Sequence, residues 1–119
     1  IMHMGAMTMV SKIDVPNYLH VVLNNGAHES VGEQPSAGHK INFTKIAEAC
    51  GYVTVGHPVT TQKELKEAIS KLSDCGKASF IDCRIHKGLN SKLPPIVFSH
   101  REAIDAFIDE IRNKGESER

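Results

Sequence analysis

The feature that most constrains this chain is Tyr18-Leu19-His20-Val21-Val22-Leu23, a nearly unbroken apolar run that stops abruptly at Asn24-Asn25-Gly26. It is far shorter than the ~20 apolar residues of a membrane span. A short run rich in β-branched residues predicts a strand buried on both faces, the kind found inside a parallel sheet. The next segment narrows the possibilities. From Asn24 to Lys40 the sequence is polar, rich in Gly, Ser and His, and without period. Such a long loop is usually functional or disordered. The carboxyl end of a parallel strand is also where α/β folds place their ligands.

The rest of the chain alternates in keeping with that strand. Residues 2–12, Met-rich and with few helix breakers, predict a helix buried on more than one side. Asp14-Val15-Pro16-Asn17 predicts a turn, since Pro16 disfavours helix at Val15. Asn42 is placed to cap a helix with Phe43, Ile46, Ala47 and Cys50 on one face, ended by Gly51. Tyr52 to Val55 predicts a short strand. Thr60 or Thr61 caps the next helix, with Glu64 spaced for a capping box on Thr61 and a stripe of Leu65, Ala68, Ile69 and Leu72. Ala78 to Cys83 predicts another strand, and Lys87 to Pro95 a connection. Ser99 caps a last helix with Glu102 three residues on and a stripe of Ile104, Phe107, Ile108 and Ile111. Residues 114–119 should fray. This order predicts an α/β fold, a doubly wound parallel sheet with helices on both faces, as one domain over residues 1–113.

Composition removes several functions. Fourteen Lys and Arg balance fourteen Asp and Glu, so the formal net charge is zero. No basic stripe suits a nucleic acid, and no acidic tail suits a basic partner. Cys50, Cys75 and Cys83 are odd in number and form no C-x-x-C, which predicts buried, reduced thiols in a cytoplasmic protein. No His/Cys/Asp set has zinc spacing, and no G-x-S-x-G, P-loop or G-x-G-x-x-G occurs. Ile1 to Met7 lacks the positive start of a secretory signal. A chain opening on isoleucine reads as a fragment.

The chemistry concentrates at Asn24-Asn25-Gly26. Carboxamides at a strand end offer hard oxygen donors without charge, and magnesium takes oxygen ligands in a tight octahedron that often includes diphosphate oxygens. Gly26 lets the backbone turn sharply and aim a carbonyl at the same ion. The same three residues also read as a plain turn, because Asn-Gly is the commonest turn signal. By themselves they leave both readings open. His20, inside a strand, reads as a core residue. His39, His57, His86 and His100 read as loop or cap residues, and Asp82, at a strand end, as a weaker site candidate.

A longer run is more specific. Leu23-Asn24-Asn25-Gly26-Ala27-His28-Glu29-Ser30-Val31-Gly32, followed by Gln34-Pro35, resembles the corresponding run of the phosphonopyruvate decarboxylases, a branch of the thiamine-diphosphate-dependent 2-oxo-acid decarboxylases. So does Phe43 to Tyr52, with its Ile-Ala-x-Ala-Cys-Gly-Tyr. Ile1 to Ala6 resembles the helix that directly follows the family's G-D-G. The related sulfopyruvate decarboxylases tend to carry Tyr rather than His after the Ala. Glu33 stands where a glycine is expected, and Ser36 where a threonine is. The resemblance covers residues 1–85 and loosens beyond Arg84.

The resemblance implies thiamine diphosphate and Mg2+ as cofactors. Carried over, Asn25 binds magnesium through its side chain and Ala27 through its carbonyl. Asn24 and Gly26 shape the turn. His28, Glu29 and Ser30 lie near the diphosphate or the mouth of the site, and His3 lies within reach of cofactor or substrate. His28 is the catalytic candidate, through contact with an anionic substrate or proton transfer; its other role would be to support the residues that hold the cofactor. The family's metal-binding Asp is expected just upstream of Ile1. The implied reaction converts phosphonopyruvate to phosphonoacetaldehyde and CO2, in phosphonate biosynthesis. It needs a pyrimidine-binding domain from the same or a second subunit, within a homo-oligomer. The chain alone is expected to be inactive and to bind cofactor weakly. Two rivals stand beside this: a sulfopyruvate decarboxylase or acetolactate-synthase-like subunit, and a non-catalytic α/β module.

Overall fold

The computed structural model describes residues 3–13, 15–88 and 97–117. Most of the expected connection from Lys87 to Pro95 lies outside these residues. The chain divides into two compact units, Ile1–Gly88 and Leu89–Arg119.

The first unit is an α/β layer structure. Strand β1 (Leu19–Asn24) is followed by a small antiparallel hairpin of β2 (Ala27–His28) and β3 (Gln34–Pro35), and then by helix α1 (Phe43–Ala49) and helix α2 (Gln62–Ser73). Strand β4 (Ser79–Arg84) pairs with β1 in parallel, with Leu19 opposite Ser79 and Asn24 opposite Arg84. On its other edge β4 takes parallel bridges from Val53 and Val59. β4 is therefore the inner strand, and five of its six residues are buried.

The pleat divides the two faces of the sheet, since successive side chains alternate. Phe80 and Val22 face a cluster with Met7 from the N-terminal helix (Met4–Ser11), Phe43 and Ala47 from α1, and Tyr52 just beyond it. Ile81 and Cys83 face the opposite cluster, with Val59, Ala68 and Leu72 from α2. Helices thus cover both faces of a parallel sheet, as the order of elements in the sequence predicts. Burial pushes the Cys83 thiol above its ordinary value, which keeps it protonated and inert.

The helix signals hold where side chains close the backbone. Asn42 accepts from the Lys45 N–H at 3.0 Å and starts α1. Gly51 ends it at φ 92°, a left-handed conformation that only glycine adopts cheaply. Thr61 and Glu64 form the full capping box of α2.

Four expectations change. The N-terminal segment is a 3-10 helix, Met4–Ser11, rather than an α-helix buried on several sides. Met7 is buried in it but Met9 is exposed. No side chain caps it and no charge reinforces either end. β1 is not buried on both faces: Val21 and Leu23 are exposed, because α2 covers β4 and not the outer half of β1. The strand expected at Tyr52 to Val55 shrinks to one bridge at Val53, whose N–H donates to the Ala78 carbonyl at 2.9 Å. Cys75 is exposed, not buried; its thiol lies 3.0 Å from the Ser79 hydroxyl.

In the second unit helix α3 runs His100–Ser117. Ser99 and Glu102 cap it reciprocally, with the Glu102 N–H donating to Ser99 Oγ at 3.2 Å and the Ser99 N–H to Glu102 Oε2 at 2.6 Å. Ile104, Phe107, Ile108 and Ile111 are exposed along it. Among the described residues no helix is long and apolar enough to cross a membrane.

Candidate functional site

The site begins where β1 ends. Asn24 is buried, and its carboxamide is used on every side. Its Nδ2 donates to the Gly38 carbonyl at 2.9 Å and to Asp82 Oδ1 at 3.3 Å. Its Oδ1 accepts from the Gly26 N–H at 3.2 Å. The backbone is tied as well, since the Ile85 N–H donates to the Asn24 carbonyl. Asn24 therefore holds the loop down onto both strand ends. The fit is close enough that a Cβ at Gly38 would come within 2.4 Å of Asn24 Oδ1. Asp82 is fully buried beneath it, and Asp82 Oδ2 has no partner among the described residues.

Asn25 turns the other way. Its Nδ2 donates to Glu29 Oε2 at 2.8 Å, and its Oδ1 accepts from the Ala27 N–H at 3.1 Å. Gly26 makes the turn at φ 71°. Its carbonyl accepts from the Ser36 N–H at 2.9 Å, which closes the hairpin. Ala27 then lies opposite Pro35, and His28 opposite Gln34. Because Gly26 and Ser36 form the hydrogen-bonded pair, the neighbouring Ala27–Pro35 pair is the non-hydrogen-bonded one, and the Ala27 carbonyl points away from β3. The loop expected to be without order thus carries a hairpin and a 3-10 turn over Glu29–Val31.

A cleft of about 420 Å3 opens at this point, lined by Asn24, Asn25, Ala27 and His28, by Ser36 to Gly38, and by apolar Val22, Ile41 and Phe43. His28 is exposed at its rim. Glu29 and Ser30 do not line it. Glu29 instead accepts from Asn25 and, through Oε1, from the Gly88 N–H. Ser30 and His3 are exposed. His3 sits at the start of the N-terminal 3-10 helix and is not among the residues of the cleft.

His39 is the residue that sequence reasoning passed over. Its ring lies against Gly26, so that a Cβ there would meet the imidazole at 2.7 Å. The signal was present: a glycine in the turn permits the close approach of a bulky neighbour. Nothing in the sequence said which residue would approach.

The donor set suits a hard cation. Asn25 Oδ1 and the Ala27 carbonyl are neutral oxygens two residues apart at a strand end, the oxygen chemistry magnesium takes. Among the described residues no three His, Cys, Asp or Glu side chains converge on a metal position. A cation here would be held by these neutral oxygens and by oxygens it brings with it, such as those of a diphosphate.

A parallel sheet ending in a carboxamide turn over a cleft defines a ligand-binding α/β domain, and its family is identifiable. Residues 1–83 match the thiamine pyrophosphate enzyme, C-terminal TPP binding domain family, and the chain belongs to that family. Among curated relatives, a phosphonopyruvate decarboxylase of Streptomyces viridochromogenes is 33% identical over 70 residues, which are 59% of this chain and 17% of that protein. A sulfopyruvate decarboxylase subunit beta of Methanocaldococcus jannaschii is 27% identical over 108 residues, 85% of this chain and 55% of the relative. That of Methanococcus maripaludis is 25% identical over 114 residues, 94% of the chain and 59% of the relative. The chain thus spans about a sixth of the first relative and little more than half of the others. No solved structure matches it.

Proposed function

We propose that this chain is the diphosphate- and magnesium-holding part of a thiamine-diphosphate-dependent decarboxylase whose substrate is phosphonopyruvate. The observation that carries the reading is the cleft at the end of β1, whose wall includes both Asn25 and Ala27 beside the glycine turn. Asn25 and Ala27 would hold the cation and, through it, the cofactor's diphosphate. Thiamine diphosphate, when bound, supplies an electron sink for the carboxylate carbon–carbon bond that breaks. The chain's own contribution is placement. Asn24 fixes the turn, Gly26 and Gly38 let the backbone close in, and Phe43 and Ile41 keep water from the apolar wall. His28, exposed at the rim, would meet an anionic substrate or pass a proton. Phosphonoacetaldehyde and CO2 would be the products.

The remaining parts are proposed to come from outside the chain: a pyrimidine-binding domain of the same or a second subunit, and a homo-oligomeric assembly. A second reading, sulfopyruvate as substrate, is favoured by the greater coverage of the sulfopyruvate relatives; against it stands His28, at the position where the resemblance leads to Tyr in sulfopyruvate decarboxylases.

The test is CO2 release by the full-length protein carrying this chain, given magnesium and thiamine diphosphate and offered phosphonopyruvate, sulfopyruvate and pyruvate in parallel. Preference for phosphonopyruvate supports the reading. Preference for sulfopyruvate moves the substrate and keeps the cofactor. Absence of turnover, together with no calorimetric binding of thiamine diphosphate, sinks it. In an active enzyme, His28→Ala is expected to lower kcat/KM by about tenfold to a hundredfold.

A further inference from the structure

A second cleft adjoins the first, and the cofactor reading leaves it without a use. It measures about 370 Å3 and is lined by His39, Lys40, Ile41, Asn42, Pro58, Thr60 and Arg84. Ile41 is shared with the first cleft, and the His39 ring lies against Gly26 in the turn after β1. Arg84 is the last residue of β4 and lies in register with Asn24. Both clefts therefore open at the carboxyl ends of the same parallel strands, where α/β sheets bind ligands.

The lining is one-sided in charge. It carries a guanidinium, an ammonium and an imidazole, and no carboxylate. The carboxylate of Glu64, which reaches Thr60, is already taken up by the N–H groups of Thr60 and Thr61 and by the Thr60 hydroxyl. Asp82, two residues before Arg84 on β4, accepts from Asn24 and is not part of the lining. Neither Arg84 nor Lys40 has an ion pair among the described residues. Arg84 Nε is buried and has no hydrogen-bond partner among them. A buried guanidinium N–H without an acceptor is costly, and an oxyanion is the ligand that removes the cost, since Arg presents paired donors that match such a group.

We propose that this second cleft is a subsite for a tetrahedral oxyanion of the phosphonate, sulfonate or phosphate class, gripped by Arg84 and Lys40 with His39 on the side of the turn. Resting on the decarboxylase reading, it gives the anionic group at the far end of the 2-oxo acid its own partners, Arg84 and Lys40. The same chemistry would also fit the terminal phosphate of a diphosphate, and the test separates the two.

The probe is methylphosphonate, titrated calorimetrically into the full-length protein and into its Arg84→Met and Lys40→Ala variants. Thiamine diphosphate with magnesium is titrated in parallel, and kcat/KM is measured for phosphonopyruvate and pyruvate. Methylphosphonate is expected to bind, and to bind about tenfold or more weakly in each variant. A comparable fall in the ratio of kcat/KM for phosphonopyruvate over pyruvate, with thiamine diphosphate affinity retained, assigns the subsite to the substrate. A matching loss of thiamine diphosphate affinity assigns it to the cofactor. Failure of methylphosphonate to bind, or binding that both variants leave intact, overturns the subsite. If the wild-type protein turns over none of the acids, the decarboxylase reading falls, and the methylphosphonate titration still decides the cleft. Lys40 is exposed, so Lys40→Ala serves even if Arg84→Met does not fold.

Discussion

Single residues in the loop show how closely backbone conformation and residue type are matched. Glu33 is the one described non-glycine residue with positive φ, at 57°. The sequence marked it as the position where a glycine was expected, and the backbone supplies the reason: a side chain in the left-handed region is strained. Glu33→Gly is expected to raise unfolding stability by about 0.5–1 kcal/mol in a urea titration. Ser36 departs from the expected threonine at no such cost, since its hydroxyl still accepts from the Gly38 N–H at 3.1 Å. His20 shows the opposite case. It packs edge-on to Phe80 at 5.1 Å and between Tyr18 and Tyr52, as a core residue should. Burial lowers its pKa below the ordinary 6.5, and its Nδ1 has no partner among the described residues. The unfolded chain then binds the proton more readily than the folded one. Stability is therefore full above pH 6.5, declines as pH falls from there through the folded value, and changes no further below it. Urea midpoints measured across that window should show the slope, and His20→Phe should flatten it.

Among the elements, those that carry their own boundary signals were readable and those that depend on neighbours were not. α2 and α3 each begin with a hydroxyl residue and a Glu three positions on, and both boxes form. In α2 the backbone N–H of Thr60 and the hydrogen bonds beside it hold the Glu64 carboxyl below its ordinary value. Thr61→Ala is expected to cost about 1 kcal/mol of stability, measured by thermal unfolding. The segment from Tyr52 to Val55 has strand-like composition but pairs through one bridge only, because Gly56 at φ 85° turns the chain out of register before Val59 bridges again. The N-terminal segment has good helix formers, yet it winds as a 3-10 helix without caps. The hairpin after Asn25 was invisible to periodicity, since two-residue strands have none, and it rests on turn geometry instead.

At the scale of the molecule, the alternation of elements gave the layered parallel architecture, because each apolar stripe had a face to cover. It did not reveal which faces stay open. Leu23, on the outer half of β1, is 64% exposed, and Phe107, on α3, is 66% exposed. A formal charge of zero offers little repulsion to keep such surfaces apart. The 119-residue chain is therefore expected to self-associate with concentration in sedimentation experiments, and Phe107→Lys to reduce the association. A strictly monomeric chain at high concentration would refute this.

The carboxylate of Glu29 serves two partners, the side chain of Asn25 and the amide of Gly88. A cation on Asn25 Oδ1 polarises the carboxamide whose Nδ2 donates to Glu29, so ion occupancy and the tether on Gly88 become thermodynamically linked, each altering the other by the same free energy. Hydrogen exchange at the Gly88 amide should therefore respond to magnesium titration, although the amide lies fifty-nine residues along the chain from Glu29. One acidic side chain would then act as a clutch between the turn and Gly88.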